Sequence, residues 1–342
     1  MKKILPILFI MLLLQVACKK EKSDFVTGYT PTLLEAANKS YTGNYFPFQV
    51  GFYWNWSGTE TDKGSMSVKG AGYNQSGPLD DTYDVYGYMD VVDSEALTLP
   101  SNTYYVLKTN ETTDDSLGNT YLNRYFQISD TAVVIRAILM EGMSEPMEVK
   151  NPVFLRRPLI VGDKWQTQPS ADLAELTSDL GESGISNMNL TTNCMLFVLG
   201  GENVGSQPTV AVQERAEVSG TININDQEGT TGSITLNFTM DLKLDLGENI
   251  GIVRQTGTMQ GTMSGSITSE GTTMTISLNV TANQTLMLST DEYYVTSNIG
   301  MQKAPQLKSE SVPTHSPISK LNNKQLKAAY KVLDRIKKMY ML

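Results

Sequence analysis

The chain has one histidine, His315, and two cysteines, Cys18 and Cys194, in 342 residues. That scarcity excludes Cys/His zinc sites and a disulfide framework, and leaves a Cys–His nucleophile pair without ordinary support. No Gly-x-Ser-x-Gly, His-Glu-x-x-His or Gly-Lys-Ser/Thr loop occurs, so the common hydrolase, metalloprotease and phosphate-loop signatures are missing. Positive charge is also in short supply, with 27 Lys+Arg against 36 Asp+Glu and a net charge of -9. An acidic balance argues against nucleic acid as a partner. The single long apolar run covers residues 4–14, too short for a confident membrane span. What is present is a 40% hydrophobic, 18% charged chain, enough for a packed core and unlike a globally disordered one. The length fits one large or two ordinary domains.

The first segment is for targeting. Lys2 and Lys3 precede the apolar run, and Ala17-Cys18 follows it. A basic start, a short apolar stretch and a small residue before the cut describe a secretory signal. With Cys18 directly after Ala17 the segment resembles a bacterial lipoprotein signal, although Gln15 stands where Leu is usual. The resemblance implies removal of residues 1–17, lipidation of Cys18 and stable anchoring by several acyl chains. The membrane then becomes a partner and the cell envelope the location, with the outer membrane expected and its face unspecified. A plain signal peptide or an uncleaved anchor is the alternative.

Charge divides the rest. Residues 25–302 hold 13 Lys+Arg and 32 Asp+Glu, a net of -19. Residues 318–342 hold seven Lys+Arg and one Asp, a net of +6. Between them Pro305, Pro313 and Pro317 lie in a Ser/Thr/Lys-rich stretch that reads as a linker and contains His315. The expected organisation is a signal at 1–17 and a tether at 18–40. A β-sheet domain follows at 41–302, in halves of about 41–150 and 151–302, then a linker at 303–317 and a basic amphipathic helix at 318–342. In that last segment Leu326, Ala329, Tyr330, Leu333 and Ile336 recur at helical spacing. A weaker helical pattern covers 171–180.

The body alternates. Over residues 209–288 apolar and polar side chains change places at period two through four segments separated by Gly-containing turns. That is the strand signal, and consecutive strands of this kind form an antiparallel meander. Ile234, Leu236, Phe238, Met240, Leu242, Leu244 and Leu246 share one face; Ser233, Thr235, Asn237 and Thr239 share the other. The segments are long, and Gly257, Gly261 and Gly265 interrupt the apolar face, where a missing side chain permits curvature. The expected fold is mainly β: a large curved antiparallel sheet, half-barrel or open barrel-like, with one C-terminal helix. Shorter candidate strands lie at 66–70, 83–92, 103–109, 121–128 and 132–140.

An internal echo joins the halves. Pro47-Phe48-Gln49-Val50-Gly51-Phe52-Tyr53-Trp54 and Pro158-Leu159-Ile160-Val161-Gly162-Asp163-Lys164-Trp165 both read P-[FL]-x-V-G-x-x-W. Pro starts the segment, Gly turns it, and the Trp is placed to clamp a sheet edge. Together with Tyr45-Phe46 before it and Ile250-Gly251-Ile252-Val253 near the end, the pattern resembles a loose group of Bacteroidota lipoproteins that carry FPL-x-VG-x-x-W starts. The group implies location and a β-fold, with no assigned chemistry. A more distant likeness is to half-barrel lipoprotein carriers, which hold acyl chains against a curved sheet.

Candidate site residues are few. Asp80-Asp81 with Asp84, and Asp114-Asp115, are the densest acidic clusters, and neither fits a calcium-loop pattern. Cys194 falls in an apolar strand register, as a buried inert thiol would. Glu214 falls in the apolar register between Val212 and Ala216, so its carboxylate needs a partner or ligand. Met240, Met259, Met263 and Met274 share the apolar register of neighbouring strands; Met lines adaptable apolar surfaces and also fills ordinary cores. The expectation is a non-catalytic envelope lipoprotein without a cofactor, holding an apolar ligand such as a lipid at Glu214, Met240, Met259, Met263 and Met274. The alternative is a structural or interaction lipoprotein with a packed sheet, binding another envelope protein or a glycan.

Overall fold

The computed structural model describes residues 29–70, 73–115, 118–140, 145–149, 153–167, 185–225, 231–269 and 272–288. Cys18, the weak helical pattern at 171–180, the linker with His315 and the amphipathic segment at 318–342 lie outside the described residues.

The strands in chain order are β1 (Ser40–Tyr41), β2 (Tyr53–Gly70), β3 (Tyr73–Thr98), β4 (Thr103–Asp115), β5 (Gly118–Ile128), β6 (Ala132–Met140), β7 (Met147–Glu148), β8 (Val153–Arg156), β9 (Leu159–Ile160), β10 (Lys164–Gln166), β11 (Ile185–Val204), β12 (Gln207–Asn225), β13 (Thr231–Gly247), β14 (Gly251–Ser269) and β15 (Thr272–Leu288). Thirteen of them form one sheet in the order β10-β11-β12-β13-β14-β15-β2-β3-β4-β5-β6-β7, with β8 also pairing β6. Every pairing is antiparallel, and β1 pairs β9 separately. The meander read from the alternation is β12–β15, and its register holds apart from one irregularity between Asp245 and Leu246 in the β13–β14 ladder. In β13, Ile234, Leu236, Phe238 and Met240 are buried while Ser233, Thr235 and Asn237 are exposed. The outward face of β14 and β15 is mostly Thr, Ser, Asn and Gln. This is the reverse of a membrane-spanning barrel, whose apolar side chains face outward.

The sheet is curled. Laid flat at 4.8 Å per strand, β10 and β8 would stand roughly 50 Å apart. Yet Trp165 Nε1 in β10 donates to the Val153 carbonyl in β8 at 3.0 Å. One core cluster also gathers Trp54, Val85, Phe126, Leu155, Trp165, Leu196 and Leu244 from strands spread across the whole order. The backbone ladder does not close; side chains bring the two edges together at one end. Curvature is helped where Phe238 lies over Gly261 in the ladder: a Cβ there would stand 2.3 Å from the ring.

The two echo motifs fold alike. Gly51 and Gly162 have φ of 91° and 89°. Gly51 N–H donates to Val91 O and Val91 N–H to Phe52 O; Gly162 N–H donates to Val198 O and Val198 N–H to Asp163 O. Three residues after each Gly comes a buried Trp, Trp54 or Trp165, each opposite the residue two before its partner Val. Both indoles fill the curl; Trp165 does so from the edge strand β10, whereas Trp54 stands in β2 between β15 and β3, away from either edge, so the clamping of an edge applies to Trp165 alone.

Two first-half strands are much longer than expected. The candidate at 66–70 is the end of β2, and that at 83–92 is the middle of β3. Pro78 is tolerated in β3 because that stretch has only β2 as a partner among the described residues.

Candidate functional site

The ladders align the inward side chains in rows. One row runs Cys194, Ala216, Met240, Met259, Ala282, Asp62 from β11 to β2. Met240 and Met259 are direct cross-strand neighbours, Met263 lies between Leu236 and Leu278, and Met274 lies opposite Ile267. The four methionines therefore share a face, as the register requires. Met240, Met259 and Met263 are 2%, 0% and 2% exposed, and Met274 is half-buried. Three of the four are packed core.

Glu214 has found a protein partner. The Cys194 thiol donates to its Oε1 at 2.9 Å. Burial raises the Glu214 pKa, opposed by the thiol bond and by the charge of Arg124, which acts on it across the curl from β5. Burial, then the Glu214 carboxylate, pushes the Cys194 thiol well above its usual value. Arg124 also pairs with buried Glu111 at 2.8 Å, and Thr109 donates to Glu111 at 2.9 Å. Further along, the Tyr83 hydroxyl bonds Glu60 and, at 2.5 Å, Asp62, while Gln284 Nε2 donates to Glu60 at 3.1 Å. This inward polar belt is not legible as such in the sequence, because its members come from several strands and meet only through the ladder and across the curl. Among the described residues no group of three or more His, Cys, Asp or Glu is placed to hold a metal ion. Asp80 and Asp84 are exposed on the outer face.

Another charged network lies among the outward residues of β11, β13 and β14. Asp245 is fully buried there, with Arg254 Nε at 2.5 Å and Lys243 Nζ at 3.5 Å. Arg254 Nη2 and Lys243 also reach Glu202. Burial, then the hydrogen bond to Glu202, raises the Asp245 pKa to about 6, and the same bond holds Glu202 low.

The open space is elsewhere. A cavity of about 300 Å³ opens where the sheet edges meet, between the loop after β1 and the β8–β9 segment. Its apolar lining includes Phe46, Leu155 and Leu159, all buried, with Tyr41 and Tyr45 half-buried beside them. Both echo motifs contribute, the first through Tyr45-Phe46 just before it and the second through Pro158-Leu159. The loop is seated by Tyr41 opposite Leu159 in the β1–β9 pair and by Asn249 N–H donating to Asn44 O at 2.7 Å. The Tyr41 hydroxyl is held by Glu35. Arg157 is half-buried in the lining, and its Nη2 donates to Asn44 Oδ1 at 3.2 Å and Phe46 O at 3.0 Å. Arg156, also in the lining, is exposed with its guanidinium 5.4 Å from the Trp165 ring centre. Asp130 is the carboxylate of the lining. None of Arg157, Asn44 or Tyr41 carried a sequence signal; only the motif residues around them did.

No protein-family profile and no curated protein matches the chain. Among solved structures, the crystal structure of Pseudomonas aeruginosa OccK11 (OpdR) aligns at 7% identity over 71% of this chain and 100% of that one. Its TM-score of 0.14 is too low to carry an argument about fold or function.

Proposed function

We propose that this is a non-catalytic envelope lipoprotein, anchored through Cys18, that holds a small apolar or amphipathic ligand at the rim of its curled sheet. The reading rests on the cavity of about 300 Å³ with Phe46, Leu155 and Leu159 in its lining. That volume is at the lower end of the range for small-molecule sites, and the apolar lining with a few polar groups is the usual composition. The binding place moves from the methionine face, where Met240 and Met259 are closed off by packing, to the meeting point of the edges. Mass spectrometry of molecules co-purified with the mature chain tests it. A small amphiphile should be retained by the wild type and lost from Leu155→Trp, which fills the cavity. Equal retention by both would move the ligand elsewhere.

A second reading has its own observation. Tyr86 and Tyr121 are 45% and 52% exposed on the outer face. Tyr53 and Tyr88 lie nearby with tilted rings whose centres are 6.2 Å apart. Exposed tyrosines on a Thr/Asn-rich sheet suit an envelope protein or glycan partner. Under this reading Tyr86→Ser with Tyr121→Ser abolishes partner capture and leaves co-purified amphiphile unchanged.

A further inference from the structure

Arg157 is a half-buried cation whose described hydrogen bonds go only to neutral oxygens, Asn44 Oδ1 and Phe46 O. Both bonds leave from Nη2, so the Nε and Nη1 N–H groups have no acceptor among the described residues. Asp130 acts on it by charge, yet no ion pair joins them within 4 Å among the described residues. A partly desolvated guanidinium without a bonded counter-charge is costly in a low-dielectric setting. Burial correspondingly holds its pKa below the usual arginine range, with Asp130 pulling the other way. The wall combines apolar and aromatic side chains, Phe46, Leu155, Leu159 and Tyr45, with a few polar ones, and the second cation, Arg156, stands at the same cavity.

We infer that the cavity takes an oxyanion joined to an apolar body, a carboxylate or phosphate amphiphile, with the Arg157 guanidinium reading its charge. An oxyanion placed there receives charge-assisted hydrogen bonds from Nε or Nη1, which are about twice as strong as neutral ones. The alkyl or aryl part lies against Phe46, Leu155 and Leu159. The Glu248 carboxylate acts by charge on Tyr45, so the anion sits toward Arg157 rather than toward Tyr45. This inference rests on the cavity being a ligand site, and its test separates the two.

The experiment is calorimetric titration of the full mature chain with octanoate, octyl phosphate, octanol and inorganic phosphate. At least one of the two anionic amphiphiles should bind about tenfold or more tightly than octanol, in line with one charged hydrogen bond. Inorganic phosphate alone should bind far more weakly, since it lacks the body that the wall receives. Arg157→Gln should remove the preference for the anion and leave octanol binding in place. Asp130→Asn, at an exposed turn position, should strengthen anion binding severalfold, a gain that a folding defect cannot produce. Equal binding of octanol and both anions, untouched by either substitution, overturns the charge reading while the cavity stands. Binding of none of the four overturns both.

Discussion

Replacing Met240 by Asp puts a carboxyl on the inward face of β13 at a residue 2% exposed, between Ala216 and Met259 in the ladder. Truncating a buried Met to Ala costs about 2–5 kcal/mol through lost contacts and the cavity left behind. The charge adds a further cost with a ceiling, because a buried Asp escapes by taking up a proton. Holding a carboxyl protonated at pH 7 when its unfolded pKa is about 3.9 costs roughly 4 kcal/mol, at 1.36 kcal/mol per unit. The sum, about 6–9 kcal/mol, is comparable to the whole stability of an ordinary domain. The sign with pH follows. The folded state binds the proton more tightly than the unfolded one, so the penalty is largest at neutral pH. It shrinks as pH falls toward the unfolded value, recovering about 3 kcal/mol between pH 7 and pH 5. Thr239→Asp, one residue away on the outward face between Glu217 and Gln260, gains a like-charge neighbour in Glu217, costing up to about 1 kcal/mol. Urea melts of Met240→Ala, Met240→Asp and Thr239→Asp at pH 5, 6 and 7 measure all of this. Similar losses for the two Asp variants, or a Met240→Asp loss that does not shrink on acidification, would refute the register and the burial together.

Metabolic labelling with a palmitate analogue should mark the wild type and leave Cys18→Ser unlabelled; equal labelling removes the anchor. Cys194, buried and with its thiol pKa raised, should resist iodoacetamide in the native protein and react once the chain is unfolded. Asp245 has a folded pKa raised to about 6, so its carboxyl costs stability above that pH and the cost fades as pH falls toward 4. The stability of Asp245→Asn relative to wild type should therefore grow from pH 4 to pH 7 in thermal melts, and a flat difference would contradict the raised value.

Period-two alternation made β12–β15 legible residue by residue, because there most inward positions are apolar or Gly and most outward ones are polar; Glu214, Gln255 and Gln284 are the inward exceptions. The same physics hid β2 and β3. Their inward positions include Glu60, Asp62 and Tyr83, which are satisfied by one another and by Gln284, so burial leaves no apolar trace in the sequence. Glu214 could be flagged because it broke an apolar run; its partner could not, since pairing Cys194 with it depends on two strands lying side by side. The methionines share a register as expected, but register alone does not distinguish a lined cavity from a filled one. The cavity depends on where two sheet edges meet, a long-range fact that no local pattern encodes. Only the echo motif marked the neighbourhood.

That echo also explains how an unclosed sheet keeps its shape. An open edge needs something to hold it, and the device at the β10 edge is the one also found mid-sheet at the start of β2: a Gly at φ near 90°, an exchanged pair of backbone bonds with a neighbouring Val, and an indole driven inward. Trp54 spends its N–H on Ile250 O at 2.5 Å, and Trp165 spends its own on Val153 O at 3.0 Å. The second bond ties β10 to β8 and so forms the rim beside the cavity. Gly162 is the residue on which this depends most visibly. A Cβ added there would meet nothing closer than Ala37 at 3.5 Å, so space is not the obstacle and the backbone angle is. Gly162→Ala should then cost about 1–2 kcal/mol from the left-handed conformation alone. Because the strain falls on the turn that aims Trp165, ligand retention at the rim should weaken along with the melting temperature. A Gly162→Ala protein with unchanged stability would mean that the turn relaxes freely and that the indole, not the turn, sets the edge.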